Sequence, residues 1–139
     1  MYQRIAHVTL LVRDYDEAIE FYVNKLDFKL IEDTIITKEK RWVVVAPRGA
    51  KECALLLAKA SDKNQFGCIG NQSGGRVALF LFTDNFDRDY QRYIERGIKF
   101  KRPPQSFDYG KVAVFQDLYG NLWDLLEPKP ENSGYSMDQ

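Results

Sequence analysis

The first part of the chain has a hydrophobic pattern that predicts one strand, one helix and three further strands. Residues 4–12 alternate between apolar and polar side chains, as in a half-buried strand. One face of that strand carries Ile5, His7, Thr9 and Leu11. Asp14 is the predicted N-cap of the helix, with Glu17 three residues later as in a capping box. The helix then presents an apolar face of Ile19, Tyr22, Val23 and Leu26. The three later strands are predicted at residues 28–36, 42–46 and 53–58, with a turn at 47–49 between the last two.

The second part of the chain repeats this order, since residues 77–100 have the hydrophobic pattern of residues 7–30. A strand at 76–83 is followed by Asp84, the predicted N-cap, and by a helix that ends at Gly97. The apolar face of this helix is predicted to be Phe86, Tyr90, Tyr93 and Ile94. Three strands complete the repeat, at residues 98–101, 111–116 and 122–127, with a turn at 117–121.

The repeat predicts an α+β fold of two tandem βαβββ modules that form a curled eight-stranded mixed sheet around a cleft. The prediction is a single domain in which the modules span about residues 4–59 and 76–128. Residues 60–75 are then the linker between the modules, and residues 129–139 are a solvated tail. Because one helix covers only one face of each sheet, we expect the uncovered faces to enclose a cavity lined by alternate strand residues.

Composition narrows the class of protein. With 139 residues the chain is long enough for one domain with a real core. Its 20 basic and 20 acidic residues balance, which argues against nucleic acid or an anionic membrane as partner. No apolar stretch is long enough to span a bilayer, and the first residues have no signal-peptide layout. Two cysteines, Cys53 and Cys68, are too few for a disulfide scaffold, which favours a cytoplasmic location and leaves a surface disulfide open.

Two polar residues stand out within apolar strands. His7 is the only histidine, and imidazole is both a common metal ligand and a ready general base. Asp124 interrupts the apolar strand at 122–127, and a buried carboxylate is costly unless it is paired or bound to a metal. Each has a structural alternative: His7 as a core side chain bonded to a backbone carbonyl, and Asp124 bonded to a hydroxyl, an arginine or a backbone amide.

Two segments resemble a known family. They are HVTLLVRDYDEAIEFYVNKLDF at the start and FQDLYGNLWDLLEP near the end. They are similar to the patterns of the vicinal oxygen chelate superfamily, which includes glyoxalase I, bleomycin-resistance proteins and extradiol dioxygenases. The resemblance covers nearly the whole chain, and it is specific for the fold rather than for one reaction.

The resemblance implies a metal site built from one position on each of four strands. His7 matches the first position, and Asp124 matches the last, where the family usually has glutamate. Val77 stands at the third and cannot bind a metal, while the remaining position falls between Cys53 and Leu55, where only the cysteine could bind. The implied cofactor is a divalent metal, Zn, Ni, Mn or Fe, and such ions prefer several nitrogen and oxygen donors. The family also implies a homodimer.

Four further residues are candidates for contact with a small-molecule ligand, and each has a plainer interpretation. Trp42 could form the floor of a pocket or simply pack. Gln72 and Arg76 lie in a glycine-rich segment that could cover the cavity mouth or serve only as a linker. Tyr109 could donate a hydrogen bond to a ligand or anchor a turn.

Three functions remain open at this point. The first is a glyoxalase-like, metal-assisted lyase or isomerase, in which His7 and Asp124 bind the metal and take part in proton transfer on vicinal oxygens. The second is a metal-free drug-binding protein of the bleomycin-resistance type, in which His7 and Asp124 position an aromatic or cationic guest. The third is a regulatory or structural module, for which the sequence indicates no particular partner.

Overall fold

A computed structural model describes residues 1–130 of the chain. It divides into two compact units, residues 1–72 and the described residues from 73 onward. Each unit contains one four-stranded mixed sheet and a helix that follows its first strand. The predicted α+β plan of two βαβββ modules is therefore confirmed. Most of the predicted tail lies outside the described residues.

The first unit has its strands in the order β1-β4-β3-β2. The strands are β1 His7–Val12, β2 Lys29–Ile35, β3 Arg41–Ala46 and β4 Ala54–Lys59. The helices are α1 Tyr15–Ile19, which continues as a π-helical segment Glu20–Lys25, and α2 Lys63–Cys68. β1 pairs with β4 in parallel, and the other pairs are antiparallel. β1 and β2 are therefore the edges of this sheet.

Helix α1 begins where the sequence predicted. The carboxylate of Asp14 accepts a hydrogen bond from the Glu17 backbone N–H at 2.9 Å, which satisfies one of the open amides of the first turn. The helix and its π-helical extension bury Tyr15, Ala18, Phe21 and Tyr22 against one face of the sheet. Burying a large apolar side chain contributes about 1.5–3 kcal/mol, so this face forms the core of the unit.

The second unit repeats the arrangement with strands in the order β5-β8-β7-β6. The elements are β5 Val77–Phe82, α3 Phe86–Glu95, β6 Phe100–Phe107, β7 Gly110–Gln116 and β8 Leu122–Pro128. Rings from α3 and β7 pack together, with Tyr93 and Phe115 at a centroid distance of 5.4 Å. Trp123 stacks on Phe115 at 5.7 Å, so the helix-covered face of this sheet is largely aromatic.

The start of α3 differs from the prediction by one residue. The N-cap is Asn85, whose side chain accepts from the Arg88 backbone N–H at 3.1 Å, so Asp84 is wrong as the cap. Asp84 instead forms an ion pair with the Arg88 side chain at 3.0 Å. Ile94 is also wrong as a core residue, since 43% of it is exposed. The predicted stop is correct: Gly97 has φ 80°, a backbone conformation that glycine adopts without strain.

Two segments are more regular than predicted. β6 runs on to Phe107 although it contains Pro103 and Pro104, because an edge strand has no partner for its outer N–H groups. The predicted linker contains α2, whose N-cap Asp62 accepts from the Gln65 backbone N–H at 2.9 Å. Within residues 1–130, no helix is long and apolar enough to cross a bilayer.

Candidate functional site

The face of the first sheet that α1 leaves uncovered, its helix-free face, carries His7 and Trp42. His7 is in register with Ala54 on β4, so both side chains leave the sheet on the same side. The His7 and Trp42 rings meet edge to face, with centroids 6.1 Å apart and an interplanar angle of 64°. Beneath them lies a small apolar cluster of Val44, Ala46 and Ala54, against which Trp42 packs. The small alanine side chains leave room for the indole to lie along the sheet toward the imidazole.

His7 is an exposed side chain, so its interpretation as a core histidine is wrong. Among residues 1–130 the imidazole forms no hydrogen bond or ion pair, and its ring contact is with Trp42. Both ring nitrogens therefore remain available to a ligand. Its predicted role in binding or proton transfer stays a prediction.

Asp124 lies on the helix-free face of the second sheet. Its register partners are Phe80 on β5 and Val114 on β7, so the carboxyl group is flanked by apolar side chains. Burial raises the pKa of the Asp124 carboxyl, and the positive charge of Arg102 offsets part of that rise. Within residues 1–130 the Asp124 carboxyl forms no hydrogen bond, and Arg102 acts on it through its charge. A half-buried carboxyl with a raised pKa and no bonded partner is suited to proton transfer or to binding a polar ligand group.

The turn before β8 fixes the register in which Asp124 is presented. Asp117 is buried, and its Oδ1 accepts from the backbone N–H groups of Tyr119, Gly120 and Asn121 at 3.0–3.1 Å. Its Oδ2 accepts from Asn121 Nδ2 at 3.0 Å and from Trp123 Nε1 at 3.2 Å. A slip of one residue would turn Asp124 to the opposite face of the sheet, so this turn is part of the site's construction.

The other predicted ligand residues have different surroundings. The Gln72 carboxamide bonds to the free edge of β1, accepting from the Leu11 N–H at 2.9 Å and donating to the Thr9 carbonyl. The amide thus takes the place of a neighbouring strand on that edge. Arg76 is exposed immediately before β5, and Tyr109 is an exposed ring stacked on Phe107 at 5.4 Å. Their contact with a ligand stays a prediction.

The donor set does not fit a metal centre of three or four protein ligands. The position in register with His7 is Ala54, and Val77 begins β5 without a donor atom. Cys53 is exposed just before β4. Among residues 1–130 there is no group of three His, Cys, Asp or Glu side chains that could hold a metal ion. His7 belongs to the first unit and Asp124 to the second, and their joint action on one ligand or metal remains a prediction.

Three residues near the candidate site were not anticipated. Phe80, beside Asp124, leaves 62% of its surface exposed, and Arg102 supplies the charge that acts on Asp124. Phe107 stacks on Tyr109 with nearly parallel rings, at an interplanar angle of 4°. The sequence of β5 does not indicate that Phe80 is exposed, because both faces of that strand are apolar. The positions of Arg102 and Phe107 depend on β6, which the sequence predicted too short.

Comparisons with known proteins agree with this architecture. The family model for the Glyoxalase/Bleomycin resistance protein/Dioxygenase superfamily matches residues 4–125. An uncharacterised protein of Shewanella frigidimarina (strain NCIMB 400) is 64% identical over 128 residues, which are 91% of this chain and 95% of that protein. TnmS3, an antibiotic binding protein from Streptomyces sp. CB03234, has a similar crystal structure, with a TM-score of 0.73 and 29% sequence identity. The similarity covers 92% of this chain and 98% of the TnmS3 chain. A superfamily member from Sphaerobacter thermophilus DSM 20745 gives TM-score 0.75 and 30% identity over 91% and 98% of the two chains.

Proposed function

The chain belongs to the Glyoxalase/Bleomycin resistance protein/Dioxygenase superfamily. We propose that it binds a small organic molecule, because the structurally similar TnmS3 is an antibiotic binding protein. The observation that carries the proposal is the aromatic pair of exposed His7 and partly buried Trp42 on an apolar sheet face. Aromatic edges and faces bind planar guests with specific geometry, without a metal. Asp124 would supply a polar or anionic contact for the same class of guest.

Binding is tested by calorimetric titration of the full chain with bleomycin and a panel of planar aromatic compounds. We expect saturable binding that weakens up to about tenfold in His7→Ala, because an edge-to-face contact contributes about 0.5–1.5 kcal/mol. Phe66→Ala is the matched control, since it removes an exposed aromatic ring from α2 rather than from the helix-free face. Equal losses in the two variants, or no saturable heat with any compound, would contradict the proposal.

The raised pKa of Asp124 supports a second candidate, a glyoxalase-like lyase or isomerase acting on a small substrate with vicinal oxygens. In this function Asp124 and His7 would exchange a proton with the substrate. A divalent ion (Zn, Ni, Mn or Fe) is common in the superfamily, but the donors described above do not form a three-ligand set for it.

The two candidates differ in their response to Asp124→Asn. An enzyme should convert the hemithioacetal of methylglyoxal and glutathione, and the variant should lose that turnover while still binding planar aromatics. Metal analysis of protein purified without chelator reports separately on the ion. No turnover in the unmodified protein would remove the enzymatic candidate, and turnover that survives Asp124→Asn would remove Asp124 from its mechanism.

The proposal also includes the oligomeric state of the protein. The superfamily resemblance implies a homodimer. Light scattering on the eluting protein measures its mass directly, and a monomeric mass at micromolar concentration would contradict this expectation.

A further inference from the structure

The first sheet opens where β3 and β4 stop pairing. Their ladder consists of three register pairs and ends at Val43 opposite Leu57. Beyond that point the start of β3 is bonded only to β2, and the end of β4 only to β1. A pocket with a volume of about 540 Å³ occupies this region, within the range of small-molecule sites. His7 and Asp124 do not line this pocket, which shares Trp42 with the site of the proposed function.

Tyr15 lines one side of the pocket and provides a hydrogen-bond acceptor where a neighbouring strand is absent. Its hydroxyl oxygen accepts from the Arg41 backbone N–H at 3.2 Å, although β4 no longer reaches this residue. The ring is only 7% exposed, and the Arg41 guanidinium lies over it at 5.2 Å from the centroid. Within residues 1–130 the Tyr15 O–H has no acceptor, so it can donate to a ligand.

The positive charge of Arg41 is already compensated. Its Nε and Nη2 bond both oxygens of Asp33 at 3.0 and 2.7 Å, and its Nη1 bonds Asp16 at 2.9 Å. These hydrogen bonds lower the pKa of Asp33, which keeps the pair ionised. Arg41 is therefore a structural part of the pocket wall, and its charge is not available to bind a ligand.

Two lysines at the pocket differ from Arg41 in this respect. Lys40, just before β3, and Lys59, at the end of β4, both line the pocket. Neither ammonium group forms a salt bridge or hydrogen bond within residues 1–130. Glu39 is the one carboxylate among the lining residues, so the two lysines outnumber it once Arg41 is counted with its own carboxylate partners. An anionic group near the two ammonium groups and the Tyr15 hydroxyl would gain charge-assisted hydrogen bonds.

Apart from Ser61 and Gln65, the rest of the lining is apolar. Leu56, Leu57, Ala58 and Ala60 contribute aliphatic surface, and Trp42 contributes an indole. Apolar walls combined with unpaired cationic groups and a hydroxyl donor are complementary to an amphipathic anion. From this combination we propose that the opening between β3 and β4 binds a small aromatic carboxylate, with the ring against Trp42 and the carboxylate near Lys40 and Lys59.

Calorimetry with 2-naphthoate and its neutral analogue 2-naphthamide tests the pocket on the full chain. We expect 2-naphthoate to bind at least about tenfold more tightly, because only the anion uses the lysines. The double variant Lys40→Gln/Lys59→Gln should bind the two compounds equally. Lys38→Gln is the matched control, since Lys38 is an exposed lysine of the same hairpin that does not line the pocket, and it should keep the preference.

Several outcomes would overturn the inference. Equal affinities for the two compounds in the unmodified protein would remove the anion site, as would loss of the preference in Lys38→Gln. No binding of either compound at millimolar concentration would remove the pocket itself. Naphthoate binding that depends on His7 would move the ligand to the helix-free face and would support the proposed function alone. Circular dichroism of each variant confirms that the fold is retained.

Discussion

Asp117→Asn should destabilise the second unit because neither Asp117 oxygen can be replaced by an NH2 group without conflict with N–H donors. Asp117 is 5% exposed, and its carboxylate accepts at least five hydrogen bonds, three at Oδ1 from backbone amides and two at Oδ2 from Asn121 and Trp123. An asparagine that keeps its oxygen toward the backbone must turn its NH2 group toward two other N–H donors. The opposite orientation places the NH2 group against three.

The magnitude follows from the donors left without an acceptor. A buried donor without a partner costs about 1–3 kcal/mol, so two such donors predict a loss of about 2–4 kcal/mol after local relaxation. Asp117→Ala strands all five donors and should cost more. Asp108→Asn is the control, because that exposed aspartate forms no hydrogen bond or ion pair with the described residues, and its effect should stay within about 0.5 kcal/mol.

Urea denaturation followed by tryptophan fluorescence measures this loss in the correct unit. The chain has one tryptophan in each unit, so a Trp42→Phe background leaves Trp123 as the reporter of the second unit alone. With a slope of about 1–3 kcal/mol per molar urea, the midpoint should fall by about 1 M or more. An Asp117→Asn midpoint that matches that of Asp108→Asn would refute the account of the turn.

Three further perturbations have directions set by the structure. Asp124→Asn should stabilise the protein at neutral pH, since burial raises the pKa of the Asp124 carboxyl in the folded state and makes its ionisation costly. Thermal unfolding measured across pH should show this gain in stability vanish below about pH 4, where Asp124 is protonated in both the folded and the unfolded state. Gly110→Ala should cost about 2 kcal/mol or more by chemical denaturation, because its Cβ would meet the Glu127 carbonyl oxygen at 2.3 Å. Gln72→Ala should speed hydrogen exchange at the Leu11 amide and cost about 1 kcal/mol; unchanged exchange would contradict the edge contact.

The fold was predictable because its signals are local. Asp14 begins a helix by bonding an amide three residues away, and Gly97 ends one by adopting a positive φ. The error at Asp84 has the same local scale, since Asp84 and Asn85 are both good caps and the choice depends on where the strand stops. β6 was missed beyond residue 101 because two prolines are typical of loops, and only its edge position makes them acceptable in a strand.

The candidate site was less predictable because it depends on register and on unpaired groups. His7 was correctly singled out as unusual, yet nothing in its sequence context shows that Trp42 reaches it across the sheet. Asp124 stood out as a carboxylate in an apolar strand, whereas Arg102, which acts on it, lies in a strand whose extent was wrong. Gln72 lies in a segment predicted either to cover the cavity mouth or to serve as a linker, and neither alternative indicated that its side chain bonds the edge of β1.

The pocket between β3 and β4 could not be predicted from the sequence either. Its residues look ordinary in sequence: Lys40 and Lys59 resemble solvated surface charges, and Tyr15 resembles a core ring of α1. What distinguishes them is the early end of a ladder, after which a tyrosine hydroxyl replaces a strand as partner of the Arg41 amide. Residue types decide which ligand chemistry such an opening favours, but hydrogen-bond register decides where the opening is. A relative that extends this ladder by one pair should therefore lose the pocket while keeping every lysine.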